Sequence, residues 1–108
     1  MSTKIKYGVK ELEAEFGKLT FGRLLRSHRL GEEMTQVELA KALGISKQSL
    51  NDLESGRKIP SIKRAMLIAK KIQTLPELII QLVLQDQIDK EHLHLTVSVT
   101  SGKVRKAA

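Results

Sequence analysis

Between Ser46 and Asp52 the chain reads S-K-Q-S-L-N-D. Gln48 and Asn51 each carry an amide donor beside an acceptor, the pair that matches adenine N6 and N7 in the major groove. Lys47 can donate to guanine O6 and N7, Ser46 can meet either purine, and Asp52 can accept from a cytosine amine. This is recognition chemistry. Catalytic chemistry finds no such grouping: the chain has no cysteine, no phosphate-cradling glycine loop and no base–nucleophile pairing. A Ser/Lys self-cleaving domain would need more residues than follow position 90. No catalytic residue, metal or cofactor is therefore expected. His92 and His94 have a spacing compatible with a metal, but no third ligand is near in sequence, so they are expected to form a polar, solvent-facing edge.

Side chains that read a base edge must be held still, so the elements around them matter. T-Q-V-E, residues 35–38, is a capping box that opens a helix. Val37, Leu39, Ala40 and Leu43 are expected to supply its buried side. Gly44 suits the positive φ of a sharp turn. Ser46 then caps the polar helix, whose buried stripe is Leu50 and Leu53, and Gly56 ends it. Thr20 is expected to cap an earlier helix with Phe21, Leu24, Leu25 and His28 on one face. After R-K-I-P, Ser61 starts a fourth helix. T-L-P-E, residues 74–77, reads as a second capping box opening a fifth. That last helix is apolar on more than one face, so Ile79, Leu82 and Val83 are assigned to a dimer interface.

Residues 92–100, H-L-H-L-T-V-S-V-T, alternate with period two and predict a strand. A lone strand is unstable in water. Its expected partner is residues 4–9 or the same strand of a second chain, with Leu95 and Val97 joining the dimer interface. Residues 9–17 have helical spacing, and the tail after 100 is basic.

The net charge is +7 over 108 residues. Residues 20–75 hold 11 Lys or Arg against 5 Asp or Glu, whereas residues 76–108 hold 4 of each. The excess therefore sits on the segment with the polar helix, and it favours a polyanionic partner. With one Tyr, two Phe and no Trp, the chain lacks the stacking platforms that single strands and RNA require. No apolar run is long enough to span a bilayer. The N-terminus lacks the apolar centre of a signal peptide. A cytoplasmic, nucleoid-associated protein without a membrane partner is expected.

The text MTQVELAKALGISKQSLNDLESGRKIPSIKRAMLIAKKI, preceded by LLRSHR, resembles the Cro/repressor-type helix-turn-helix family, also called XRE, over residues 20–72. The resemblance implies an all-α, five-helix, lambda-repressor-like bundle over residues 20–90. It would be flanked by an N-terminal extension (1–19) and a C-terminal strand and basic tail (91–108). It also implies roles by position. Ser46, Lys47, Gln48, Asn51 and Asp52 would contact bases, and Gln36, Ser55, Arg57 and Lys58 would contact phosphates. Gln36 would also brace the first recognition side chain. Arg29 and Glu54 would form a structural ion pair. The function implied is a sequence-specific regulator of transcription, a dimeric repressor that reads double-stranded DNA with the helix over 46–55. The alternative is an antitoxin that binds a protein toxin through its C-terminal segment and autoregulates its operon.

Overall fold

The computed structural model describes residues 18–102, which contain five helices. They are α1 (Phe21–Gly31), α2 (Gln36–Leu43), α3 (Lys47–Ser55), α4 (Ile62–Lys71) and α5 (Pro76–Lys90). The all-α class is as expected. The strand or helix read over residues 4–17 and the tail beyond Gly102 lie outside the described residues. The chain divides between Ile59 and Pro60 into two compact units, a boundary inside the segment read as one domain from sequence.

In the first unit α3 packs against both α1 and α2. Local chemistry sets each helix start. The Thr20 hydroxyl accepts from the Arg23 N–H at 3.2 Å. Thr35 and Glu38 complete the capping box: the Glu38 N–H donates to Thr35 Oγ1 at 3.1 Å and the Thr35 N–H to Glu38 Oε1 at 2.8 Å. Ser46 Oγ accepts from the Ser49 N–H at 3.0 Å. Between α2 and α3, Gly44 takes φ 71°, where a Cβ would be strained. Phe21, Leu25, Leu39, Ala40, Leu50 and Leu53 are buried. Val37 departs from expectation at 58 % exposed. At 3.6 residues per turn the buried side of α2 centres between Leu39 and Ala40, which leaves Val37 about a third of a turn away.

Gly22 is a core position that hydropathy does not reveal. It is buried in the first turn of α1. A Cβ there would fall on the carbonyl oxygens of Leu53 and Glu54, the latter at 2.6 Å. The backbones of α1 and α3 therefore approach too closely for any side chain.

In the second unit α4 packs on α5. Ser61 Oγ caps α4 by accepting from the Arg64 N–H at 3.1 Å. The capping box read at 74–77 does not form: the N-cap is Leu75, with no side-chain cap bond. Pro76 explains this. Proline fits the first helical position, where its missing N–H has no intrahelical partner, and it forces the preceding residue to be extended. Leu75, at ψ 124°, is thereby made the cap, and Thr74 falls outside the helix. The interface assignment of α5 also changes. Ile79, Leu82 and Val83 are 0 %, 3 % and 0 % exposed. They are core of this chain, beside buried Ala65, Ile68, Ala69 and Ile72, and a second chain cannot reach them.

Residues 93–100 form no strand, and His92 lies in a left-handed turn (φ 59°) that ends α5. His92 and His94 thus do not share a strand face. The alternation has another use: side-chain amides of α5 occupy the backbone edge where a neighbouring strand would lie. Gln85 Nε2 donates to the Leu95 carbonyl at 2.9 Å, and Gln85 Oε1 accepts from the Val97 N–H at 2.8 Å. Gln81 Oε1 accepts from the Val99 N–H at 3.1 Å. One glutamine amide imitates one residue of a parallel partner strand. Gln85→Ala is expected to raise amide exchange at Val97 at least tenfold while changing global stability by less than about 1 kcal/mol. Exchange measured by NMR checks this, and unchanged protection at Val97 contradicts it.

Candidate nucleic-acid interface

The first turn of α3 is open. Ser46, Lys47 and Gln48 are exposed, while Leu50 and Leu53, on the opposite side of the helix, are buried. The helix N-terminus adds free N–H groups and a positive dipole end, both favourable to phosphate. Ser46 Oγ is already engaged as the cap and hydrogen-bonds the Ser49 hydroxyl at 3.0 Å. Lys47 is therefore the freest side chain of this turn, and Gln48, though exposed, is engaged at one end of its amide by Asp52.

Asn51, one turn on, is half-buried and braced. Gln36 Nε2, from the start of α2, donates to Asn51 Oδ1 at 3.2 Å and to Glu54 Oε1 at 3.1 Å. Glu54 in turn binds Arg29 of α1 in a two-pronged pair, Nε to Oε2 at 2.8 Å and Nη2 to Oε1 at 3.0 Å. The side chains are only 12 % and 4 % exposed. Arg29 Nη1 donates to the Met34 carbonyl at 3.1 Å. The Arg29–Glu54 pair thus joins α1 to α3, and Gln36 extends it to Asn51. The hydrogen bonds that Arg29 donates to Glu54, only partly opposed by burial, push its guanidinium above its already high value.

Asp52 sits differently from the other polar residues of α3. It is 8 % exposed and faces the segment after the helix. Its Oδ1 accepts from Arg57 Nε at 3.0 Å and from Gln48 Nε2 at 3.0 Å, and Lys58 Nζ lies 3.8 Å from Oδ2. The Arg57 hydrogen bond, reinforced by Gln48 and by both cations, holds the carboxyl below its usual value against an opposing desolvation. Asp52 is thus ionised at neutral pH. Its backbone carbonyl accepts from the Lys58 N–H at 3.2 Å and from the Ser55 hydroxyl at 3.3 Å, which ties residues 55–58 to the helix end. Arg57 and Lys58 keep 55 % and 72 % of their side chains exposed. Ser55 is exposed too, and its Oγ accepts from the Arg57 N–H at 3.5 Å.

The first unit therefore gathers the named residues of α3 and the loop after it, with Gln36 bracing Asn51. The inward engagement of Asp52 was not anticipated from sequence. The signal for it was the four-residue spacing of Gln48 and Asp52, which puts both on one helix face. Among the described residues, no helix is long and apolar enough to cross a membrane.

Comparison with known proteins agrees with this geometry. A helix-turn-helix family model matches residues 25–79, half of the chain. The ImmF control region 10 kDa protein of Bacillus phage phi105 is 44 % identical over 48 residues, 44 % of this chain and 53 % of that protein. The chain thus spans about half the length of this phage relative. An uncharacterized HTH-type transcriptional regulator of Methanocaldococcus jannaschii is 44 % identical over 46 residues, 43 % of this chain and 70 % of that one. Another from Methanothermobacter thermautotrophicus is 41 % identical over 49 residues, 45 % of this chain and 71 % of its own. No solved structure matches the chain significantly. With its capped, glycine-hinged helix pair and the family match across it, the chain belongs to the Cro/repressor-type (XRE) helix-turn-helix family of DNA-binding regulators.

Proposed function

We propose that the protein is a cytoplasmic, dimeric repressor that inserts α3 into the major groove of double-stranded DNA. In this reading Lys47, Gln48 and Asn51 meet base edges, and Gln36, Ser55, Arg57 and Lys58 meet phosphates. The observation that carries it is the division of α3. Lys47 and Gln48 are exposed on one side, and Leu50 and Leu53 are buried on the other, at 0 % and 5 %. A helix held that way keeps its polar face in one position, as base readout requires. The concentration of positive charge before residue 76 supports the same reading. With Ile79, Leu82 and Val83 buried, dimerisation falls to the exposed side chains of the second unit, among them Leu93 and Leu95 at 50 % and 58 % exposure.

Two variants test the roles. Gln48→Ala is expected to lose about 1–3 kcal/mol of preference between duplexes differing at one base pair, with little change in non-specific affinity. Arg57→Ala is expected to weaken all duplexes alike and to lower the slope of log K against log salt by about 0.9. Fluorescence anisotropy over a salt series reads both effects. If the two variants lose affinity with the same sequence dependence, the roles are misassigned. If the wild-type protein shows neither salt dependence nor sequence preference, the function is.

A further inference from the structure

Asp52 lies on the recognition helix, yet its carboxylate is engaged by the protein itself. We propose that Asp52 is a positioning residue: it fixes which end of the Gln48 amide faces DNA, and so makes Gln48 select adenine over guanine. The proposal rests on the base-reading role of α3 given above and goes beyond it by assigning the polarity of one contact.

Donors and acceptors decide the orientation of the amide. An ionised carboxylate can only accept. Gln48 therefore turns its NH2 toward Asp52 Oδ1, at 3.0 Å, because the reverse orientation would set oxygen against oxygen. What remains of the amide for a ligand is the acceptor Oε1 and the second N–H. Adenine offers a matching N6 donor and N7 acceptor, whereas guanine offers the two acceptors O6 and N7 and would meet the glutamine oxygen. The carboxylate is itself held. Arg57 Nε shares Oδ1 at 3.0 Å, and Lys58 Nζ stands 3.8 Å from Oδ2. Asp52 is 8 % exposed, so it has little freedom to swing out and accept from a cytosine. Holding Arg57 by its Nε leaves the two terminal nitrogens, which can form a bidentate phosphate contact. One buried carboxylate thus couples a base contact to a backbone contact.

Asp52→Asn removes the constraint, since an asparagine amide can face either end of Gln48. The test takes the best duplex recovered from a random pool and substitutes each base pair in turn, for the full-length wild type, Asp52→Asn, Gln48→Ala and the double variant. Thermal melting confirms that each is folded. Asp52→Ser, smaller and neutral, supplies the same reading if Asp52→Asn melts early. The expected result is a loss of about tenfold in adenine-over-guanine preference at one base pair in Asp52→Asn. The same position should be lost in Gln48→Ala, with no further loss in the double variant. An unchanged preference in both Asp52 variants overturns the proposal. So does a preference that Asp52→Asn still alters when Gln48 is alanine, because Asp52 would then be reading the base directly. A wild-type protein indifferent to sequence overturns instead the DNA-reading function on which the proposal rests.

Discussion

Glu54→Ala is expected to lower the free energy of unfolding by about 3 kcal/mol, the low end for breaking a buried ion pair. The carboxylate receives Arg29 Nε at 2.8 Å, Arg29 Nη2 at 3.0 Å and Gln36 Nε2 at 3.1 Å. Its removal strips the acceptor from two nitrogens of a guanidinium that is 12 % exposed, and leaves Gln36 Nε2 with Asn51 Oδ1 alone. The cost is mainly that of a buried charge left alone, not of the attraction lost. It follows that Arg29→Met combined with Glu54→Leu should recover much of the stability, since neither charge is then buried. Urea unfolding of the three proteins checks the claim. A Glu54→Ala loss below about 0.5 kcal/mol would show that the pair is solvated in solution. If Asn51 reads a base as proposed, the Glu54 variant should also lose preference at that position, because Gln36 loses one of the two acceptors that hold it.

Gly22→Val has the second large expected effect, at least about 3 kcal/mol. An exposed helical glycine would be improved by almost any replacement, by up to roughly 1 kcal/mol for alanine. Here the sign reverses. The new Cβ would stand 2.6 Å from the Glu54 carbonyl oxygen and still nearer that of Leu53. Both obstacles are backbone in the last turns of α3, so neither can move aside as a side-chain tip would. Helices α1 and α3 must separate, which loosens Phe21, Leu25, Leu50 and Leu53 together, each 5 % exposed or less. Overpacking of this kind costs about 1–3 kcal/mol for a modest insertion, and valine adds two methyls beyond the Cβ. Gly22→Ala should show a smaller loss. An alanine variant as stable as the wild type would mean that the crossing is looser than this geometry.

The parts of the fold legible in the sequence are those set by short-range chemistry. Thr35 and Glu38 announce the start of α2, and Gly44 announces the turn into α3 because a left-handed residue there favours glycine. The stripe of Leu50 and Leu53 follows from helical periodicity. What stayed hidden depends on tertiary approach or on a choice between local options. Gly22 looks like a weak point of a helix until α3 is laid across it. Three helix ends close on residues with no sequence signal for positive φ: Glu33, Gln73 and His92, at 57°, 57° and 59°. The Met34 N–H, for example, reaches the Arg29 carbonyl at 3.0 Å without a glycine. Pro76 outcompeted the Thr74–Glu77 box. The alternation over 92–100 was real, but period two cannot say whether a strand or a row of glutamine amides will satisfy the backbone.

The site divides in the same way. Lys47, Gln48 and Arg57 were legible as exposed polar residues on and after a capped helix. Asp52 was not, because residue type alone suggested an outward acceptor. Its inward engagement follows from Arg57 and Lys58 arriving from the following loop.

In the proposed function α3 is a rigid reader of duplex DNA. Selection of bound duplexes from a random pool by the full-length protein tests it most directly. The expected result is two inverted half-sites about 10–10.5 base pairs apart, centre to centre, or a multiple of that spacing, with adenine at the position sensitive to Gln48. A recovered pool with no enriched sequence at any position would contradict it.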